Sequence, residues 1–313
     1  MSVTNYQFPV EKCDVPLERR KSLEAYREHR LKCLFQLQGD SDTSVARQVY
    51  DLVWHTMMLR TLNEARRLEP NRMVNGDMWN LATAGYATLM TMGIRRLVDK
   101  SRGAISIPNI LHEIERHPEF LTREFFVCND GLPFEDQESA QPHSPMQSET
   151  MFRWAAKVGP KAYDSSRMRH EAFDKLCGKI TERKRNDTVV PEVFETLRAS
   201  LSANAISKVR TMADKIVAHT ERVPDDKPIP IATYQDIDDA LKIIVRTSNF
   251  IGHFFFFDEP FGTVVATPQY NVMDRLDRPW VQSKNIPALH EFWNQQAEVM
   301  DKWAYNVADG FLA

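Results

Sequence analysis

Along residues 17–38, LERRKSLEAYREHRLKCLFQLQ, apolar positions return every three or four residues among Leu, Glu, Arg and Lys. That spacing lays one apolar stripe along a helix built from strong helix formers, so it predicts an amphipathic helix. GDSD interrupts the pattern and offers Asp42 as N-cap of a second helix, DTSVARQVYDLVWHTMMLRTLNEARRLE, which runs to Leu68 before EPN stops it. Asn75, Gly76 and Asp77 open a third, MWNLATAGYATLMTMGIRRLVDKS, with apolar residues on almost every face as far as Gly93. A helix apolar all round belongs in the centre of a bundle.

SIPNILHEIERHPEFLTREFF reads as a shorter helical pair, with Pro108 acceptable in a first turn and Pro118 marking the break. From Asn129 to Glu149 the chain is polar, acidic and punctuated by three prolines, which predicts a long loop or mobile insertion. Two more helical segments follow, SSRMRHEAFDKLCGKITERKRN and VPEVFETLRASLSANAISKVRTMADKIVAH, the second with Pro191 in its first turn. ATYQDIDDALKIIVRTSNFIGHFFFF makes another long helix and ALHEFWNQQAEVMDKWAYNVADG a last one. Thr263–Ala266 is a short β-like run, too isolated to define a sheet. The expected fold is therefore an all-α bundle of roughly seven to nine helices.

Composition supports that class. A chain of 313 residues, 42% hydrophobic and 27% charged, has the material for a buried core and carries a prior of about two domains. Only 11 glycines, with no GxGxxG and no GxxxxGK[ST], argue against a dinucleotide-binding or P-loop enzyme. The formal charge of −3 excludes nucleic-acid binding by bulk positive charge and leaves room for a local basic patch. Cys13, Cys33, Cys128 and Cys177 lie far apart without a CxxC pair, which reads as reduced cytosolic thiols. MSVTNYQFPVEKCD lacks a basic head and apolar run, and no apolar stretch approaches the roughly 18 residues of a membrane span. These features lead to the expectation of a cytoplasmic protein with no membrane partner.

Several candidate chemistries fall to geometry. HEIERH, His112 to His117, resembles a zinc-protease helix, but a spacing of five rotates the imidazoles about 140° apart at 100° per residue. His170, Glu171 and Asp174 share a helix face in RHEAFD, yet nothing nearby supplies further ligands. No GxSxG elbow is present. Arg183, Lys184 and Arg185 in TERKRND fall at a predicted helix C-terminus, where they compensate the dipole or touch phosphate. The run Phe254–Phe257 points all round a helix, so part of it belongs in the core or in a dimer interface.

One stretch remains. ADKIVAH, Ala213 to His219, follows a long helical segment and precedes the polar TERVPDDKP. It resembles the signature helix of the HEPN superfamily, most closely its abortive-infection AbiU-like branch. MGIRRLVDKSRGAISIPNILHEI is similar to that branch's helix ending in an R-L-x-D element, here Arg96, Leu97 and Asp99, followed by a short helix. The proline-bearing loop and DIDDALKII after the motif complete the likeness, over roughly residues 40–260. On this reading residues 1–40 form an N-terminal helical extension, 41–260 an HEPN-like bundle, and 261–313 a C-terminal loop and helix.

The resemblance implies a homodimeric bundle with facing motif helices, and metal- and cofactor-independent endoribonuclease activity through an R-x4-6-H motif. It further implies RNA as the substrate and a partner protein of a defence or toxin–antitoxin system. A histidine of ordinary pKa moves the proton of the ribose 2′-hydroxyl or leaving oxygen, while an arginine stabilises charge on the phosphate. His219 is then the acid or base, with Asp214, Lys215 and Arg222 around it. The chain departs from the motif, however: Asp214, Ala213 and Met212 stand where arginine should. Arg210, nine residues before His219, lies about 180° around a regular helix and is instead one turn from Asp214. The spacing predicts an Arg210–Asp214 pair worth about 0.2–0.5 kcal/mol. Lys215 and Arg222 flank His219 at helical spacings and are the remaining phosphate ligands within the segment. Two functions stay open: a defence ribonuclease, and a catalytically silent bundle that binds a partner protein, a nucleotide or RNA. A plain helical scaffold has less motif support.

Overall fold

The structure is a computed structural model that describes residues 6–69, 75–136, 160–178, 182–218, 231–258, 260–265, 269–274, 276, 278 and 281–301. Ten α-helices lie among these residues: α1 Arg20–Gln38, α2 Val45–Leu68, α3 Gly76–Leu97, α4 Ile107–Glu115, α5 Arg123–Cys128, α6 Pro160–Cys177, α7 Pro191–Ser200, α8 Asn204–Met212, α9 Tyr234–Phe250 and α10 Ile286–Asp301. No strand occurs among the described residues; Thr122 and Thr188 form an isolated antiparallel bridge, and Thr263–Val265 is irregular. The all-α class expected from periodicity holds.

Two compact units divide the chain, Met1–Ala266 and Thr267–Ala313. In the second, a 3-10 turn, Ser283–Asn285, leads into α10. The first holds a single apolar core fed by α1 to α9, with Leu23, Leu37, Ile94, Ile110, Phe173 and Ile244 all but sealed from solvent. There α2 packs against α1, α3 and α9, while α3 also packs against α8 and α9. Among the described residues no helix is long and apolar enough to cross a membrane.

Helix ends follow local chemistry, with corrections. Ser44, not Asp42, caps α2: its hydroxyl accepts from the Arg47 N–H at 3.3 Å. Asn75 caps α3 as expected, accepting from the Asp77 N–H at 2.7 Å. Thr233 and Asp236 form a reciprocal capping box at the start of α9. The segment expected as one helix from Pro191 onward breaks at Leu201–Ala203 into α7 and α8. Ser200 and Ser202 turn their hydroxyls onto backbone carbonyls four residues back, and such bonding competes with the helix ladder. This break is one reason for ten helices rather than seven to nine.

Three burial expectations also change. The first half of α3 is largely exposed, with Met78 and Leu81 51% and 69% accessible, and only Met90, Thr91, Gly93, Ile94 and Leu97 enter the core. The opening of the predicted loop, Asn129–Phe134, is built into the core instead of swinging free. Asp130 Oδ1 accepts from the Gln7 and Phe8 N–H groups at 2.9 Å each, and Arg27 Nε donates to the Asn129 carbonyl at 2.7 Å. Residues 137–149 of that loop lie outside the described ones. The Phe run is spent within the unit: Phe255 and Phe256 are buried, Phe254 packs on Phe250, and Phe257 lies under the Arg169 guanidinium.

Candidate functional site

Beyond Met212, α8 continues into a π-helical turn, Ala213–Val217, in which the Ala218 N–H reaches the Ala213 carbonyl five residues back at 2.8 Å. Such wide turns recur at functional sites. Ala213 is sealed against the core while Asp214 and Lys215 face outward. The last turn of α3 packs beside this turn, and there Arg95 donates from Nε to Asp214 Oδ1. That carboxylate raises the pKa of Arg95 by hydrogen bond and charge. Among the described residues only Nε of Arg95 is so engaged, leaving donors of the guanidinium fork open to an oxyanion.

Of the four residues singled out in ADKIVAH and its neighbourhood, Asp214 and Lys215 are described, and His219 and Arg222 lie outside the described residues. Asp214 does not pair with Arg210 as the spacing predicted. Arg210 is exposed, and the partner of Asp214 comes from α3, because i,i+4 pairing assumes a regular helix and the π turn begins between the two residues. Position 214 is where the R-x4 spacing counted back from His219 asks for an arginine, and Arg95 brings a guanidinium to that position from another helix.

A family model, HEPN_AbiU2, described as AbiU2, matches residues 40–271, more than half of the chain. The chain belongs to the HEPN AbiU2 family. No curated protein and no solved structure matches it. The stretch shared with the HEPN AbiU2 model takes in α2 to α9 and so includes Arg95, Asp214, Lys215, His219 and Arg222.

Other candidate clusters of this HEPN AbiU2 chain prove structural. His112 is exposed on α4, whereas His117 lies beyond its end, pairs with Glu119 at 3.0 Å and packs edge-on to His29. His170 is buried, with Nε2 2.7 Å from the Phe134 carbonyl oxygen; burial depresses its pKa, with the positive charge of Arg123 acting in the same direction. Asp174 lies 2.7 Å from Arg123 and 2.9 Å from Arg183, so it is committed to cations. Among the described residues no group of three or more His, Cys, Asp or Glu side chains is placed to hold a metal.

TERKRND is likewise corrected. The helix ends at Cys177, well before it, and Arg183 and Arg185 serve ion pairs: Arg183 with Asp174 and Asp136, Arg185 with Asp14 and Glu124. These two arginines tie the connection between α6 and α7 to the core rather than waiting for phosphate.

Arg95 is the residue that sequence reasoning missed. Its neighbour Arg96 was singled out with Leu97 and Asp99, but adjacent helical residues point about 100° apart, and only the packing of α3 on α8 decides which arginine meets Asp214.

Proposed function

We propose that this HEPN AbiU2 protein is an abortive-infection phage-defence protein acting as a metal-independent endoribonuclease, with His219 as general acid/base and Arg95 at the scissile phosphate. The observation that carries the reading is the Arg95 guanidinium bound to Asp214, at the place where the motif expects its arginine. In the cleavage step His219 removes the proton of a ribose 2′-hydroxyl as that oxygen attacks the adjacent phosphorus. The 5′-oxygen of the next nucleotide leaves and takes up a proton, giving a 2′,3′-cyclic phosphate and a 5′-hydroxyl. Open N–H donors of Arg95, with Lys215 and Arg222 beside the motif, stabilise the charge that builds on the phosphate oxygens. The working form in this reading is a homodimer, supported by the apolar Met78, Leu81 and Leu89 that α3 exposes.

The test is cleavage of total RNA in EDTA by wild type and His219→Ala. Cutting that disappears with the histidine supports the ribonuclease; cutting undiminished in His219→Ala removes His219 from the mechanism.

A second reading, a catalytically silent bundle that binds RNA, a nucleotide or a partner protein, is favoured by one observation. An acid occupies the arginine position and neutralises the guanidinium that reaches it. It predicts no cutting by wild type under conditions in which a known ribonuclease cuts.

A further inference from the structure

On the far side of α3 from the Asp214 contact, the helix pair α2–α3 encloses a cavity of about 520 Å³. Its mouth is formed by Asp42 and Thr43 and by residues 103–105, and its sides by one face of α2 and one of α3. Leu52, Leu89 and Ile105 line it with apolar surface; Asp51, His55, Arg96 and Asp99 line it with polar and charged groups. The volume lies within the roughly 300–1,000 Å³ of small-molecule sites, and an apolar lining with a few convergent polar groups is their usual make-up. One water needs only about 10–15 Å³ on a comparable measure, so ordered solvent alone does not account for the space.

The walls are held in place before any ligand arrives. Asn109 Nδ2 donates to the carbonyls of Ser101 and Ala104, each at 2.8 Å, and the Ser101 N–H donates to Asp99 Oδ1 at 2.8 Å. Across the cavity Gln48 Nε2 donates to the Thr43 carbonyl at 2.7 Å. The carboxylates have partners already: Asp42 and Asp51 each lie within 4.0 Å of Arg47, and Asp99 is bound by Ser101.

Two groups are not satisfied in this way. His55 Nδ1 is buried and has no hydrogen-bond partner among the described residues. Native structures rarely leave such an atom orphaned, and here it belongs to a side chain on a cavity wall. Arg96 is exposed, lines the same cavity and forms no ion pair among the described residues. A lone arginine in the last turn of a helix also complements the helix dipole, but that role calls for neither a cavity nor a neighbouring orphan imidazole.

We propose that this cavity is a nucleotide site, taking a nucleoside monophosphate whose phosphate lies on Arg96 and whose base lies against Leu52, Leu89 and Ile105. Arg96 supplies the planar donor set that binds phosphate oxygens in pairs. His55 bonds a ribose or base polar atom, and the carboxylates of Asp51 and Asp99 accept from hydroxyl or amino donors, which a bare anion lacks. The site is separate from the proposed ribonuclease centre, since Arg95 and Arg96 leave α3 about 100° apart, one toward Asp214 and one onto the cavity.

Isothermal titration of the purified full chain with adenosine 5′-monophosphate and uridine 5′-monophosphate tests this, with adenosine and inorganic phosphate as separate arms. The expected result is saturable binding of at least one nucleotide at one site per chain, at least ten-fold weaker for adenosine and for phosphate alone. Arg96→Ala, a surface change checked by unchanged thermal unfolding, weakens it at least ten-fold, and His55→Gln weakens it as well. Absence of saturable binding of either nucleotide to folded wild type at millimolar concentration overturns the proposal. Equal affinity for inorganic phosphate overturns it too, as a simple anion site, and so does binding that survives Arg96→Ala but is lost in Arg95→Ala.

Discussion

Arg95 in the last turn of α3 and Asp214 in the π turn after α8, 119 residues apart in the chain, are joined through the arginine Nε. The pair fixes the orientation of the motif turn against α3 and brings a cation to a segment whose own sequence lacks the expected arginine.

If Arg95 acts on the phosphate, Arg95→Ala lowers RNA cleavage by about 10²-fold or more, as loss of a charge-stabilising donor does elsewhere. Adding Asp214→Arg, which puts a guanidinium on the motif segment at the R-x4-H spacing, restores most of it. Single-turnover cleavage rates in EDTA measure both effects, and an Arg95→Ala rate equal to wild type removes Arg95 from the mechanism.

The exposed apolar residues of α3 make a separate prediction about assembly. Leu81 is 69% accessible within the chain. Leu81→Glu is expected to leave the fold intact and convert a dimer of 36.2 kDa chains into monomer, read by light scattering coupled to gel filtration. A mutant that keeps the wild-type mass shows that the homodimer, if formed, uses another face.

Stability should be most sensitive at Arg123. Its side chain is fully buried, 2.7 Å from Asp174 and 2.9 Å from Asp187, with Nη2 3.0 Å from Cys177 Sγ. Arg123→Ala leaves two buried carboxylates short of their shared cation, a change that costs about 3–5 kcal/mol. Urea unfolding measures the loss. A cost under about 1 kcal/mol, the worth of an exposed pair, contradicts this account of the network.

Acidification acts through histidines. Burial lowers the pKa of both His29 and His170 below the usual value of about 6.5, with His117 adding to the effect at His29 and Arg123 at His170. Between the depressed folded values and about 6.5 the unfolded chain binds more protons, so stability falls as pH drops through that window. Glu113 and Lys32 also face His29, Glu113 opposing the shift and Lys32 reinforcing it. Urea midpoints at pH 7.5 and pH 5.5 are expected to differ in that sense, and His29→Gln is expected to shrink the difference. An unchanged pH dependence in that variant assigns the slope to other groups.

Much of the fold was legible because it is carried by short-range pattern. The stripe of α1, the end of α2 at Leu68 and the Asn75 cap of α3 all depend on residues within a turn or two of one another. The exposure of the first half of α3 was not legible: an all-round apolar helix suits a bundle centre and a surface held for a partner equally well. Nor could spacing alone reveal that Arg183 and Arg185 belong to ion pairs, since their partners Asp14, Glu124 and Asp136 lie far off in the chain.

The sequence by itself determined the helical class, the family and the position of the motif, all of which follow from residue type and local order. Tertiary packing alone decided that Arg95 rather than Arg210 meets Asp214, and that Arg96 turns instead onto a cavity beside His55. The physical reason is directional. Adjacent side chains on one helix diverge by about 100°, so which of them finds a partner depends on the helix that packs alongside.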